Sequence, residues 1–233
     1  IRQNAHRALF TLLLAAAQEL SKGADFEAAA KAYGEAVAAA PDVSAAWEAT
    51  RAFATACGAK GLAGRGIGLL QSFLAAHRSD RLSTGPVRLA VKTEVAVLLE
   101  KGGRESYAET EKQAREMLAR SIDHPDLLDD VYDLFPNSLA AEEAALALAV
   151  RFRAAERAEE ATALLQEFLQ EYGDSPKAAD ACALLILVAE SRGMWGTARG
   201  LCQRLQRRWP EVALGMVPAG PDGKPFTGGA LPH

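Results

Sequence analysis

Apolar and polar positions follow the same order twice in the last third of the chain. The first copy begins at Leu146 with LALAVRFRAAERAEEATALLQEFLQEYGDSP, and the second begins at Leu184 with LLILVAESRGMWGTARGLCQRLQRRWPE. Ala161 then corresponds to Ala198, an offset of 198 − 161 = 37 residues. The same offset places Leu148 on Leu185, Ala158 on Trp195, Leu165 on Cys202 and Phe168 on Leu205. A period of this size is typical of stacked helix–turn–helix units, so the pattern predicts two helical hairpins.

The start of the chain predicts a further hairpin. Residues 7–22 are apolar almost all round, which is typical of a helix covered on more than one side. Gly23 ends this helix, and Asp25 can cap the next one, FEAAAKAYGEAVAAA, which ends before Pro41. Residues 78–85 are polar and predict a loop, followed by a divergent hairpin with a lengthened turn at Gly102-Gly103.

The first two hairpins carry a family pattern. Phe26, Ala29, Tyr33, Ala36 and Pro41 have the types and spacing of the second helix of a tetratricopeptide repeat. Trp47 lies where the family has a tryptophan in its first helix, and Ala63 follows Ala29 by 63 − 29 = 34 residues, the family's period. The chain from about residue 10 to residue 210 therefore resembles tetratricopeptide repeat proteins.

This resemblance implies an all-α fold, a right-handed α-solenoid of about five helical hairpins. We expect a repeat domain over residues 1–212, weak and divergent at 78–138, and a non-helical Gly/Pro-rich tail or linker stub over 213–233. Apolar residues of the tail are expected to pack on the last hairpins or on a neighbouring chain: Val217, Pro218, Pro225, Phe226 and Leu231.

Composition supports the helical class. Hydrophobic residues make up 49% of the chain but aromatic residues only 6%, and alanine, the best helix former, dominates much of it. The formal charge of −4 provides no basic field for nucleic acid. Three cysteines without a CxxC pair argue against a disulfide framework, and no run approaches the roughly 18 apolar residues of a membrane-spanning helix.

No catalytic or metal-binding pattern is visible. The segment GLAGRGIG at 61–68 follows a predicted helix and lacks GK[ST], so a glycine-rich repeat helix fits it better than a phosphate loop. The four histidines have no metal spacing, and no GxSxG sequence occurs. We therefore expect a protein that is not an enzyme and has no cofactor.

The resemblance implies a non-catalytic scaffold or adaptor that binds a protein or peptide along the first helices of its hairpins. In this register the candidate groove residues are Leu14, Gln18, Glu48, Ala52, Leu146, Val150, Arg153, Ala183 and Leu187. They form an apolar face with acidic edges and no Lys or Asn clamp. We expect an apolar or extended partner segment rather than a terminal carboxylate.

The stretch RFRAAERAEEATALLQEFLQEYGDSPKAADA also resembles bacterial envelope tetratricopeptide proteins, including outer-membrane assembly lipoproteins. That resemblance favours the bacterial periplasm or cell envelope over the cytoplasm. The chain begins at Ile1 rather than Met, and we expect it to be a segment of a longer protein. A structural spacer or regulatory module within a larger multidomain envelope protein is thus the alternative to a free adaptor.

Overall fold

A computed structural model describes residues 2–23 and 25–210 of the chain. Over these residues the protein is all-α, as predicted, with eleven α-helices and very little strand. The helices are α1 (Arg2–Lys22), α2 (Phe26–Ala38), α3 (Val43–Ala59), α4 (Ala63–His77), α5 (Val87–Gly102), α6 (Ala108–Arg120), α7 (Leu127–Leu134), α8 (Leu139–Ala154), α9 (Ala158–Glu171), α10 (Ala178–Ser191) and α11 (Trp195–Arg208). A short 3-10 helix, Arg104–Tyr107, precedes α6.

Side-chain caps fix the start of two helices, and the cap at Asp25 is the one that the sequence predicts. The Asp25 carboxylate accepts a hydrogen bond from the Ala28 amide at 3.0 Å, at the start of α2. The Asp42 carboxylate accepts one from the Ala45 amide at 2.9 Å, at the start of α3. Each cap satisfies an amide that the helix itself leaves unpaired, which explains why both helices begin directly after an aspartate.

The chain divides into two compact units, one ending at Ala141 and the other beginning at Glu142. In the first unit α1 contacts α2 and α3, and α3 contacts α4 and α5. Buried side chains of α1, α2 and α3 form one core cluster around Tyr33 and Phe53. A second cluster joins α3, α4 and α5 around Ile67, Leu70 and Val91. The predicted single repeat domain over 1–212 stays a prediction, and the tail at 213–233 lies outside the described residues.

Glycines bring α4 close to its neighbours. A Cβ atom at Gly66 would lie 3.0 Å from Leu98 Cδ1 and 3.1 Å from the Ala54 carbonyl oxygen. Gly66 is buried, and its lack of a side chain lets α4 approach both α3 and α5. Most of the glycine-rich sequence at 61–68 thus lies in α4, and Gly66 is the residue at its close packing.

Two expectations about the first unit are wrong. Helix α1 is buried on one side only, through Phe10, Leu14 and Ala17, whereas Leu9 and Leu12 are 51% and 69% exposed. Leucine is not restricted to the core, so an apolar sequence does not by itself show how many neighbours cover a helix. The predicted loop at 78–85 contains strand β1 (Arg81–Leu82), which pairs antiparallel with β2 (Gly85–Pro86) and buries Leu82.

In the second unit the 37-residue offset relates whole helices. Helices α9 and α11 each have 14 residues and begin at Ala158 and Trp195, 195 − 158 = 37 residues apart. Helices α8 and α10 end at Ala154 and Ser191, which is again 37 residues. Ala161 and Ala198 are both buried, as the register predicts, and α10 packs against both α9 and α11.

The turns of these hairpins also coincide. Glu156 and Gly193, again 37 residues apart, both have positive φ, at 60° and 69°. After each of them the next amide donates to a carbonyl five residues back, Arg157 to Phe152 and Met194 to Ala189, both at 2.8 Å. This is the left-handed helix ending in which glycine is usual.

Candidate functional site

An open groove of about 660 Å³ lies along α1, α3 and α5 of the first unit. Helices α1, α3 and α5 contribute most of the lining, and α2 adds Tyr33 to the wall. The groove is lined by Gln18, Glu19, Ser21, Lys22, Tyr33, Glu48, Arg51, Ala52, Thr55, Ala56, Ala59 and Glu94. Alanines of α3 form a shallow apolar strip, and charged side chains surround it.

Most charges in the groove are paired with one another. Arg51 Nη1 lies 3.5 Å from Glu94 Oε1, which joins α3 to α5. Lys22 Nζ lies 2.6 Å from Glu19 Oε1 on α1. Glu48 is exposed and has neither a hydrogen bond nor an ion pair to any residue that the structure describes. The groove therefore holds one negative charge that its own cations do not neutralise.

The neutral polar groups of the groove differ in what they offer. The Thr55 hydroxyl donates to the Arg51 carbonyl at 2.9 Å, so its proton is already used. The Gln18 side-chain amide makes no hydrogen bond within the described part of the chain, so it has two donors and an acceptor available. Burial raises the pKa of the Tyr33 phenol, which therefore remains a neutral hydroxyl.

The structure brings together three of the predicted groove residues, Gln18, Glu48 and Ala52. Leu14 does not join them: it is 6% exposed and packs in the core beside Tyr33. Gln18 follows Leu14 by four residues, which is slightly more than one helical turn, so the two side chains differ by about 40° around α1. That rotation separates a core position from a groove position, and the prediction for Leu14 is wrong.

The predicted residues of the second unit are placed as follows. Val150 and Leu187 are 43% and 36% exposed, Arg153 is exposed, and Leu146 is half-buried. Ala183 is only 7% exposed, so its expected outward position is wrong. Nearly every residue of α10 from Ala178 to Ala189 is buried, and a side chain as small as alanine does not reach beyond its neighbours.

Sequence reasoning missed four charged groove residues, Glu19, Lys22, Arg51 and Glu94. Glu19 and Arg51 are direct sequence neighbours of the predicted residues Gln18 and Ala52, and Lys22 lies four residues, about one helical turn, after Gln18. Glu94 belongs to α5, and the strand pair β1–β2 lengthens the connection before it, so neither period reaches it. The available signal was Arg51 itself, because an arginine on this face calls for an acidic partner, which is Glu94.

The sequence predicts no chemical role for metal-ligand groups or for a buried cysteine, and the structure describes both. No group of three or more His, Cys, Asp or Glu side chains among the described residues could hold a metal ion. Burial raises the pKa of the Cys57 thiol to about 11, so this cysteine is protonated and unreactive at neutral pH. None of the described helices is long and apolar enough to cross a membrane.

Comparison of the chain with protein-family models, with curated proteins and with solved structures found no match.

Proposed function

We propose that this protein is a non-catalytic binding scaffold that holds an extended segment of a partner protein in the groove of α1, α3 and α5. In this proposal the hairpins form a right-handed α-solenoid of the tetratricopeptide type. The observation that carries it is the alignment of free polar groups from successive first helices, with Gln18 on α1 and Glu48 on α3 facing one groove. An extended chain needs such spaced contacts, because its backbone amides and carbonyls must be satisfied when it binds.

The charges of the groove favour a basic partner segment. Lys22 and Arg51 are occupied by Glu19 and Glu94, so a carboxylate on the partner would have to displace an existing ion pair. Glu48 is unoccupied and would accept a lysine or arginine side chain directly. The alanine strip beside it gives room for small or medium apolar side chains. We therefore propose an extended segment that places a basic residue next to apolar ones.

Selection from a random peptide library displayed on phage tests this proposal. We expect the wild-type protein to enrich peptides that contain lysine or arginine beside apolar residues. The dissociation constant of an enriched peptide is then measured for wild type, for Glu48→Lys and for Glu35→Lys. Glu35 is an exposed glutamate of α2 that does not line the groove, so its substitution changes the net charge equally.

Charge reversal at Glu48 should weaken binding by about three- to tenfold, because an exposed ion pair is worth only about 0.2–1 kcal/mol and reversal adds repulsion. Glu35→Lys should leave the affinity unchanged. Enrichment of acidic peptides, or equal losses for the two variants, would contradict the proposal.

A further inference from the structure

A second depression, the cleft, lies between α2 and α4 of the first unit and has a volume of about 310 Å³. Its walls are formed by Ala30, Gly34 and Val37 of α2 and by Leu69, Ser72, Phe73, Ala76 and His77 of α4. The buried residues Ala49, Thr50 and Phe53 of α3 form the floor, and Tyr33 completes the lining. The cleft is thus apolar and bounded by helices on three sides, unlike the charged groove.

A glycine keeps the cleft open. Gly34 stands in the middle of α2, where a Cβ atom would meet no other atom within 4 Å. Glycine is a poor helix former, and nothing in the packing of α2 requires it at this position. Its direct consequence is space in the wall of the cleft.

The polar groups of the cleft share one property: their protons are already donated elsewhere. The Thr50 hydroxyl donates to the Ala46 carbonyl at 2.8 Å, and the Ser72 hydroxyl donates to the Gly68 carbonyl at 3.0 Å. His77 Nδ1 lies 2.8 Å from Asp80 Oδ2, so in the neutral imidazole the carboxylate accepts a hydrogen bond from the proton on Nδ1. His77 Nε2 makes no hydrogen bond to the residues that the structure describes, so it offers a lone pair.

From this arrangement we infer that the cleft binds a small, uncharged aromatic molecule that carries a hydroxyl or N–H donor, of the phenol or indole type. Pockets for small molecules usually measure about 300–1,000 Å³, and this cleft stands at the lower end, which suits one or two rings. The apolar walls disfavour a charged ligand, because burying an unpaired charge is costly. The acceptor groups select a donor, and His77 at the end of α4 is the residue that would receive it.

Indole and its isostere indene test the inference, because they share a shape and differ in the N–H group. Saturation-transfer NMR measures the dissociation constant of each compound for the wild-type protein. We expect saturable binding of indole and about three- to tenfold weaker binding of indene, the effect of one hydrogen bond.

Two variants place the ligand in the cleft. Gly34→Phe fills the space from α2 and should weaken indole binding by more than tenfold. Ala76→Phe should do the same from α4. Because the two substitutions lie on different helices, misfolding of one variant would not leave the inference untested. Gly196→Phe is the matched control, since Gly196 of α11 also faces open space. His77→Phe should remove the preference for indole over indene and leave indene binding nearly unchanged. The inference is wrong if indole shows no saturable binding, or if it binds both filled variants as tightly as wild type.

Discussion

The hairpin that ends in α9 and the hairpin that ends in α11 have the same turn but different residues in it. Both turns contain a residue with positive φ, followed by an amide that donates five residues back at 2.8 Å. Glycine occupies this position in the second hairpin as Gly193, whereas the first has Glu156. The turn between α3 and α4 follows the same rule, with Gly61 at φ 74° and the Leu62 amide bonded to the Cys57 carbonyl.

The difference teaches that the hydrogen bonds and the packing of the helices, rather than the residue, impose this conformation. A residue with a Cβ atom costs about 1–2 kcal/mol in the left-handed region, so Glu156 is held there against its preference. Ala161 and Ala198 are the buried residues that follow these turns in the two hairpins. Both lie in the first turn of their helices, at identical places in the two hairpins.

The largest effect is expected at these alanines. Ala198→Leu introduces a larger side chain at a position that is 2% exposed, and overpacking of this kind typically costs about 1–3 kcal/mol. Thermal and urea unfolding measure the loss. Arg199→Leu is the control, because Arg199 is exposed on the same helix. Equal stability of Ala198→Leu and wild type would show that the two hairpins are not packed alike.

The turn residues should respond in opposite directions. Glu156→Gly relieves the left-handed strain but adds freedom to the unfolded chain, so we expect a gain of about 0.5–1 kcal/mol. Gly193→Ala should lose about 1 kcal/mol for the converse reason. Urea unfolding at equilibrium gives both values. Loss of stability in Glu156→Gly would mean that the glutamate side chain stabilises the turn in a way that the backbone comparison misses.

The 37-residue spacing and the burial of Ala161 and Ala198 could be predicted, because each copy of a repeated hairpin needs a small residue at the same position of its second helix. The strand pair β1–β2 could not, since two residues per strand leave no detectable alternation. Groove membership was predictable for Gln18, Glu48 and Ala52 but failed for Leu14 and Ala183. Whether a residue at the edge of a helix face lines the groove depends on a rotation of about 40° and on side-chain length. Residue spacing alone does not resolve either of them.

Gly34, which lies inside α2, should behave oppositely to the glycines in the turns. Gly34 has helical backbone and open space around it, so Gly34→Ala should stabilise the protein by up to about 1 kcal/mol. The same substitution at Gly193 is expected to destabilise the protein. Comparison of Gly34→Ala with Gly193→Ala therefore distinguishes the effect of helix propensity from the effect of turn conformation. A loss of stability for Gly34→Ala would indicate a contact that the structure does not contain.

The smallest effect concerns Glu190, which occupies the position of Arg153 in the preceding hairpin. Its Oε1 atom is buried without a hydrogen bond among the described residues, and burial raises the pKa of this carboxyl. The folded state therefore holds the proton more tightly than the unfolded state, and stability falls as the pH rises from the ordinary glutamate pKa through the raised one.

Glu190→Gln should consequently stabilise the protein slightly near neutral pH and lose that advantage at about pH 3.5, below the ordinary glutamate pKa. Melting temperatures at the two pH values measure the difference. Glu35→Gln, at an exposed site, should show no such pH dependence. An advantage of Glu190→Gln that is equal at both pH values would exclude ionisation as its cause.

A charge-exchange cycle tests the proposed groove most directly. An enriched peptide is prepared with its basic residue as lysine and as glutamate, and each form is titrated against wild type and Glu48→Lys by fluorescence anisotropy. If Glu48 receives the basic residue, each single reversal weakens binding, and the double reversal restores the affinity to within about threefold of the original pair. Losses that simply add in the doubly reversed pair would show that the peptide does not meet Glu48 and would contradict the proposed binding mode.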